Sequence, residues 1–411
     1  MLSLFSGMRV FGQDRCLVRS RGVPACPPFV GHLTKATALL FTLTLFAFSP
    51  SQAKAAGVPC TPTFLGSYNT PGAANDVTVV DTTAYVADGN SGLQIIDISN
   101  PATPTFLGSY DTPGYAWGVA AVGTTAYVAD DWFGLQIIDI SDPATPVLLG
   151  SYNTPNGARG VTVVDSTAYV TDGGSGLQII DISNPATPVF LGSYDTPGYA
   201  HGVTIVGTTA YIADIFSGLQ IIDISNPAAP TFLGSYDTPD LAWGVTVVGT
   251  TAYVADWDSG LQIIDISNPA TPTFLGSYNT PGEARGVTVV GTTAYVADQL
   301  HGLQIIDISN PAAPTFLGSY DTPSQALGVT VVGTTTAYVA DRFSGLQIID
   351  ISDCPLCPAD LNGDGVVNTQ DFLAFLDAWS AGDPFADWNN DGDINTLDFL
   401  AYLTDWSAGC S

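Results

Sequence analysis

Gly-Leu-Gln-Ile-Ile-Asp-Ile begins at Gly92 and is written again from Gly134, Gly176, Gly218, Gly260, Gly302 and Gly345. The interval is 42 residues five times and 43 once, the extra residue lying in Thr334-Thr335-Thr336. A period of that length with four strand signals per unit marks propeller blades rather than helical solenoids or thin β-helix coils. In the second unit the four runs are Phe106–Tyr110, Gly118–Val122, Thr125–Ala129 and Leu135–Ile140, β-branched or aromatic and bounded by Gly, Pro, Asp or Ser. Val122-Gly123-Thr124 reads as a tight hairpin and Ser141-Asp142-Pro143 as a turn before the next strand. The runs are apolar on both faces, as expected of blades sandwiched between neighbours. An all-β, seven-bladed β-propeller is therefore expected over residues 61–353.

The order of strands accounts for the ends of the repeat array. Phe64–Tyr68 precedes its own blade and is expected to complete the last one, which removes exposed sheet edges. Antiparallel pairing then sets the start of this strand beside the end of Leu346–Ser352, bringing Cys60 to Cys354. A disulfide Cys60–Cys354 is expected as a latch.

Six of the nine Lys and Arg lie before Ala55, leaving Arg159, Arg285 and Arg342 against 37 acids, a formal charge of −34. Such a surface repels nucleic acid and anionic membranes and favours cations. Nearly all the acid is Asp, with Glu283 the one glutamate, a bias towards turns and hard-cation ligands. Lys35 to Ala55 shows a basic lead, an apolar run from Ala38 to Phe48 and small-x-small sites at Ser51-Gln52-Ala53 and Ala53-Lys54-Ala55. Residues 1–55 thus read as a signal peptide with an unusually long lead, and the protein as extracellular, secreted or attached to the cell surface. The apolar run is too short for a stable membrane span. Export leaves Cys60, Cys354, Cys357 and Cys410 in an oxidising compartment, where three pairings are open.

Seven near-copies permit an internal comparison. Two windows vary: one before the Gly-Val strand, the other after the Val-Ala-Asp phrase. Both connections of a four-stranded meander emerge on one face, so the diversity is expected on one rim. That rim carries Tyr115, Trp117, Trp132, Phe133, Tyr199 and Phe216, then Trp243, Trp257 and Phe343, beside Arg159, Arg285 and Arg342. Exposed aromatics mixed with Arg mark binding hot spots, and planar rings also suit sugar faces. The plainer alternative is packing between blades. His201 is counted with this ligand rim; it and His301 lie in the variable windows without a matched partner and read as surface residues. The closing aspartates Asp88, Asp130, Asp172, Asp214, Asp256, Asp298 and Asp341 form a second ring, expected to cap their turns by accepting N–H bonds rather than to hold a cation.

With Leu93-Gln-Ile-Ile-Asp97 standing at the namesake phrase, residues 61–353 resemble the LVIVD repeat, a propeller family of bacterial and archaeal surface proteins. The resemblance implies the fold and a surface location, and says little of activity.

Beyond Pro358 another repeat begins. Asp360, Asn362, Asp364, Asn368 and Asp371 place side-chain oxygens at positions 1, 3, 5, 9 and 12 of a loop, with Gly365 at 6 and the carbonyl of Val366 at 7. Asp387, Asn389, Asp391, Asn395 and Asp398 repeat the pattern, with Gly392 and the carbonyl of Asp393. This is the Ca²⁺ loop of an EF-hand, so two calcium ions are expected. Each loop leads into an amphipathic helix, marked by Phe372, Leu373, Leu376 and Trp379 and by Phe399, Leu400, Leu403 and Trp406. Residues 357–411 resemble a dockerin of the variety ending in Gly-Cys, here Gly409-Cys410. The resemblance implies a small helical paired-EF-hand-like domain that attaches a secreted protein to a cohesin or comparable surface receptor. It implies recognition through Thr369, Gln370, Thr396 and Leu397. Cys357 and Cys410 bracket the module, and a second disulfide, Cys357–Cys410, is expected to clasp it.

Two functions follow as expectations. The first is a non-catalytic propeller that binds protein or glycan, or serves structurally, and is anchored through its calcium module. The second is a polysaccharide-active enzyme attached by its dockerin. Catalysis needs a localised, asymmetric acid, base or nucleophile. Beyond the expected leader, one glutamate, two histidines and nearly uniform blades favour the first.

Overall fold

The computed structural model describes residues 60–354, 359, 367–381, 386, 388 and 394–408. The expected leader, Cys357, Cys410 and the loop positions Asp360, Asn362, Asp364, Val366, Asp387, Asn389, Asp391 and Asp393 lie outside the described residues.

Strands β1–β28, numbered in chain order, form seven four-stranded antiparallel sheets. The first blade is β2 (Asp76–Val80), β3 (Thr83–Ala87), β4 (Leu93–Asp97) and β5 (Thr105–Tyr110). Its first hairpin turns at Asp81, whose φ of 52° is left-handed, and the second blade puts Gly123 there at 58°. Only residues that tolerate this conformation occupy the slot, hence the recurrent Gly or Asp. The last blade runs β1 (Thr63–Tyr68), β28 (Leu346–Asp350), β27 (Thr336–Ala340), β26 (Gly328–Val332), so the first strand closes the ring. Thr63 pairs with Asp350 and Tyr68 with Leu346. Cys60 and Cys354 form the expected disulfide across 294 residues of sequence, with Cα atoms 4.8 Å apart.

The core lies between blades. Leu93 and Ile95 join Tyr85 and Ala87 against Val119, Ala126, Val128 and Ile138 of the second blade. Ile96 and Ile98 turn the other way, onto Tyr338, Ala340, Leu346 and Ile348 of the last. Alternate residues of one strand thus serve two interfaces, and each fully buried Leu or Ile contributes about 2 kcal/mol. Gln94 is the polar member of this strand. It is buried, and its Nε2 donates to Ser91 O at 2.7 Å.

The tail has helices α1 (Thr369–Ala381) and α2 (Thr396–Ala408). Asn368 Oδ1 accepts from Gln370 N at 2.8 Å while Asp371 Oδ2 accepts from Asn368 N at 2.8 Å, a reciprocal cap. Asn395, Leu397 and Asp398 repeat it at 2.8 and 2.7 Å. Trp379 Nε1 donates to Asn395 O at 3.1 Å and Trp406 Nε1 to Asn368 O at 2.9 Å, so each helix secures the start of the other. Phe375 stacks on its own duplicate, Tyr402, with centroids 4.0 Å apart and planes 1° from parallel. The two halves are a tandem duplication packed on itself.

Candidate binding face

Both variable windows do emerge on one face. Asp88, after β3, accepts from Thr70 Oγ1 at 2.5 Å and Gly72 N at 2.7 Å, both in the connection before β2. The third blade repeats this with Asp172, Thr154 and Asn156 N, and the sixth with Asp298, Thr280 and Gly282 N. The aspartate ring therefore ties two connections together, where the sequence suggested a cap on its own turn. Burial raises the pKa of all seven, with Asp256 and Asp298 pushed to about 6.

The other ties use backbone acceptors. Gln136 donates to Phe133 O at 2.8 Å and Gln304 to His301 O at 2.7 Å. Bridges such as Gly89 to Ala116 and Trp257 to Ala284 hold the two connections through main-chain atoms, and each such alanine is fully buried. These main-chain ties hold the connections whichever variable side chains they carry, which leaves room for the windows to differ from blade to blade.

The variable side chains have two fates, which cut across the second window. Trp132, Phe216, Leu300 and Phe343 are 65, 70, 69 and 65% exposed, and Phe133 is exposed beside them, as the rim reading requires. The other predicted rim residues are not. Tyr115, Trp117, Arg159, Tyr199, His201, Trp243, Trp257, Arg285 and Arg342 are half-buried. A Cβ on Gly118, which opens β6 (Gly118–Val122), would lie 2.8 Å from Arg159 O of the next blade. The inner strands thus start backbone to backbone, and the side chains one residue earlier converge.

These side chains come from successive blades and stack in a chain. The Arg159 guanidinium lies 4.6 Å from the Trp117 ring, and Trp117 meets His201 at 6.4 Å. His201 meets Trp243 edge-on at 4.6 Å, and Arg285 lies 3.6 Å over Trp243 and 4.4 Å over Trp257. Arg159 also donates Nε to Tyr199 Oη at 3.0 Å and pairs with Asp131 at 3.3 Å, in a geometry short of a hydrogen bond. Burial, reinforced by the positive charges of Arg285 and Arg159, depresses His201 to about 3. His201 is thus an inward group and not the surface histidine expected; His301 is exposed. Burial also lowers Arg285 to about 10.

Register brings in Asp131 and Gln299, which sequence reading missed. Gly89, Asp131, Gly173, Trp257, Gln299 and Arg342 share one left-handed slot, with φ from 35° to 52°. Two blades fill it with Gly and four with side chains that strain there. Asp131 and Gln299 follow the closing aspartate directly, a spacing that could have revealed them. Gln325 accepts a hydrogen bond from Arg342 Nη1.

In the tail, Thr369, Gln370, Thr396 and Leu397 are exposed, while Asp371 and Asp398 are fully buried. Asn368 and Asn395 sit at the caps described above. No cluster of three His, Cys, Asp or Glu poised for a metal occurs among the described residues.

The LVIVD repeat model matches residues 71–112, 113–154, 157–196, 197–238, 241–280, 281–322 and 326–357, one match per blade. The chain belongs to the LVIVD repeat family. No curated protein matches the chain. Among solved structures, the LVIVD propeller is similar to the WD40 β-propeller domain of Doa1 at 9% identity and a TM-score of 0.59, covering 71% of this chain and 97% of that one. It is similar also to the computationally designed Ika8 protein, at 9% identity and 0.53, covering 70% and 100%. At such identity these likenesses show the propeller fold of this LVIVD protein alone. No helix among the described residues is long and apolar enough to cross a membrane.

Proposed function

We propose that the protein is an exported, non-catalytic recognition module whose propeller presents one loop face to a protein or glycan and whose tail anchors it at the cell surface. The observation that carries this reading is the confinement of sequence diversity to one face, where Trp132, Phe216 and Phe343 stand exposed on backbone-held loops. Large apolar groups on a wet surface are a solubility liability unless they meet a partner.

The tail enters this proposal as a dockerin-like module. Asp371 and Asp398 are buried hard-oxygen donors at the last position of each calcium-type loop, and Asn368 and Asn395 stand three residues before them. These residues fit a calcium ion, which would draw each loop onto its helix. Thr369, Gln370, Thr396 and Leu397 then offer a face for a cohesin-like receptor.

A glycan and protein array probed with the secreted chain tests the reading. Binding should fall when Trp132, Phe216 and Phe343 are changed to Ala. Binding that survives all three changes overturns the rim as recognition surface.

A further inference from the structure

The outer strands leave an open groove where two blades join. One, of about 400 Å³, is lined by Tyr68, Pro71, Gln94, Phe106, Ser109 and Asp111 among others. Its counterpart one blade on, of about 680 Å³, has Tyr110, Pro113, Gln136, Leu148, Ser151 and Asn153 at the same positions, each 42 residues later. The repeat supplies this set at every joint.

A bulge in the outer strand builds the groove. The pairing of β4 with β5 slips at Leu107, since Phe106 pairs with Ile96 and Gly108 with Ile95. Leu107 and Tyr110 pack into the interface with the second blade, while Phe106 and Ser109 line the groove with Tyr68 of the last. The Tyr68 and Phe106 rings lie 15° from parallel with centroids 6.3 Å apart, and Tyr152 and Phe190 repeat this at 13° and 6.4 Å. The phenylalanine is 41 to 50% exposed in six blades, and Leu148 takes its place in the other. Rings open to water beside hydrogen-bonding side chains suit a ligand with an apolar face and a polar edge.

Two kinds of ligand have that character: a cationic side chain set over a ring beside a carboxylate, and a sugar, whose flat face is edged by hydroxyls. The copies decide between them. The Asp111 position is Asp at four joints and Asn at three, whereas the Gln94 and Ser109 positions never change. What is kept is therefore a hydrogen-bond acceptor and not a charge. The chain's large negative charge also disfavours an anionic polymer.

We propose that the joints between blades are binding sites for a neutral polysaccharide, each taking a sugar face on its Tyr and Phe rings and the hydroxyls on its Ser, Gln and Asp or Asn side chains. Recurrence around the ring lets weak grooves act together on one polymer. This surface is additional to the loop face.

Affinity electrophoresis of the full secreted chain tests the assignment, in gels carrying hydroxyethylcellulose, galactomannan, arabinoxylan or polygalacturonate. At least one neutral polymer should retard the chain, and polygalacturonate should not. Phe106→Ala, Phe190→Ala and Phe274→Ala combined should weaken binding to that neutral polymer about tenfold or more. If this variant does not fold, Ser109→Trp with Ser193→Trp fills two grooves from exposed positions and should weaken it too. Asp111→Asn with Asp195→Asn should leave it unchanged; a loss there would show that the grooves read charge and would overturn the proposal. No retardation in any neutral gel, or retardation indifferent to the Phe and Ser variants, overturns it as well. Changing Trp132, Phe216 and Phe343 to Ala should leave retardation unchanged. Loss in that variant with the groove variants silent would overturn the grooves and leave the loop face standing.

Discussion

Cys354 and Cys60 stand, in the last blade, where Pro101 and Ala102 stand in the first, so a disulfide replaces the peptide bond that links the third and fourth strands of the other blades. The surroundings match. A Cβ on Gly66 would strike Pro101 O and Ala102 of the adjoining connection, and one on Gly318 would strike Cys60. Thr61 Oγ1 donates to Asp353 Oδ2 at 2.8 Å, as Thr145 Oγ1 does to Asp142 Oδ2 at 3.0 Å within an unbroken connection. The chain thus enters and leaves the ring at one point, and two cysteines mend the cut.

Cleaving that bond, whose two cysteines are buried in the core of the last interface, should matter for the whole ring. It closes a loop of nearly the whole propeller, worth roughly 5 kcal/mol in the chain-entropy model. Cys60→Ser with Cys354→Ser should lower the melting temperature markedly, and limited proteolysis should then attack β1 first. A melting curve unchanged by the double substitution would show that strand pairing alone holds the ring.

The cut was legible from order alone: a stray Phe-Leu-Gly-Ser-Tyr strand at the front and a cysteine at each end permit one closure. The loop face was half legible. Internal comparison found which positions vary, because seven copies expose any freedom the scaffold leaves. It did not find that Trp117, His201 and Trp243 turn inward while Trp132 and Phe216 turn outward. That division depends on Gly118 and its equivalents letting strand starts approach, a packing distance with no local sequence signal. Nor does the periodicity show that the Asp88 ring reaches back to the preceding connection, since its partner Thr70 is 18 residues away.

Stability should rise on mild acidification. For the seven ring aspartates the folded pKa is above the unfolded value of 3.8, so the folded state holds more protons in that interval. By linkage, stability increases as pH falls from above about 6, the value for Asp256 and Asp298, towards 4. The opposite group is Asp97, Asp139, Asp181, Asp223 and Asp265, whose carboxylates accept the N–H of a serine two residues on and lie below 3.8. Their contribution is lost only at lower pH. Melting temperature measured across pH should therefore peak between about 4 and 6; a monotonic decline from neutrality would contradict the burial argument.

The strained slot separates function from stability. Arg342 adopts φ 35°, where Gly89 and Gly173 sit in their own blades. Left-handed backbone costs a residue with Cβ about 1 kcal/mol, comparable to the partly buried hydrogen bond Arg342 makes with Gln325. Arg342→Gly should leave the melting temperature unchanged or raise it. If Arg342 serves the loop face, array binding should fall in the same variant, a combination that a merely structural arginine does not produce.

Calcium should be coupled to folding of the tail rather than to the propeller. Asp371 and Asp398 are fully buried, and each cap they complete lies under the other helix's tryptophan. Without a cation, like charges in the two loops would repel, and Phe375 would lose its hold on Tyr402. Titration with Ca²⁺ should give two binding events, one lost with Asp364→Ala and the other with Asp391→Ala. Chelator should remove helical circular dichroism and the near-ultraviolet signal of Trp379 and Trp406 while the β-signal persists. A tail equally helical in chelator would mean that the duplicated aromatic core suffices, and that the Asp and Asn pattern of the loops serves turns alone.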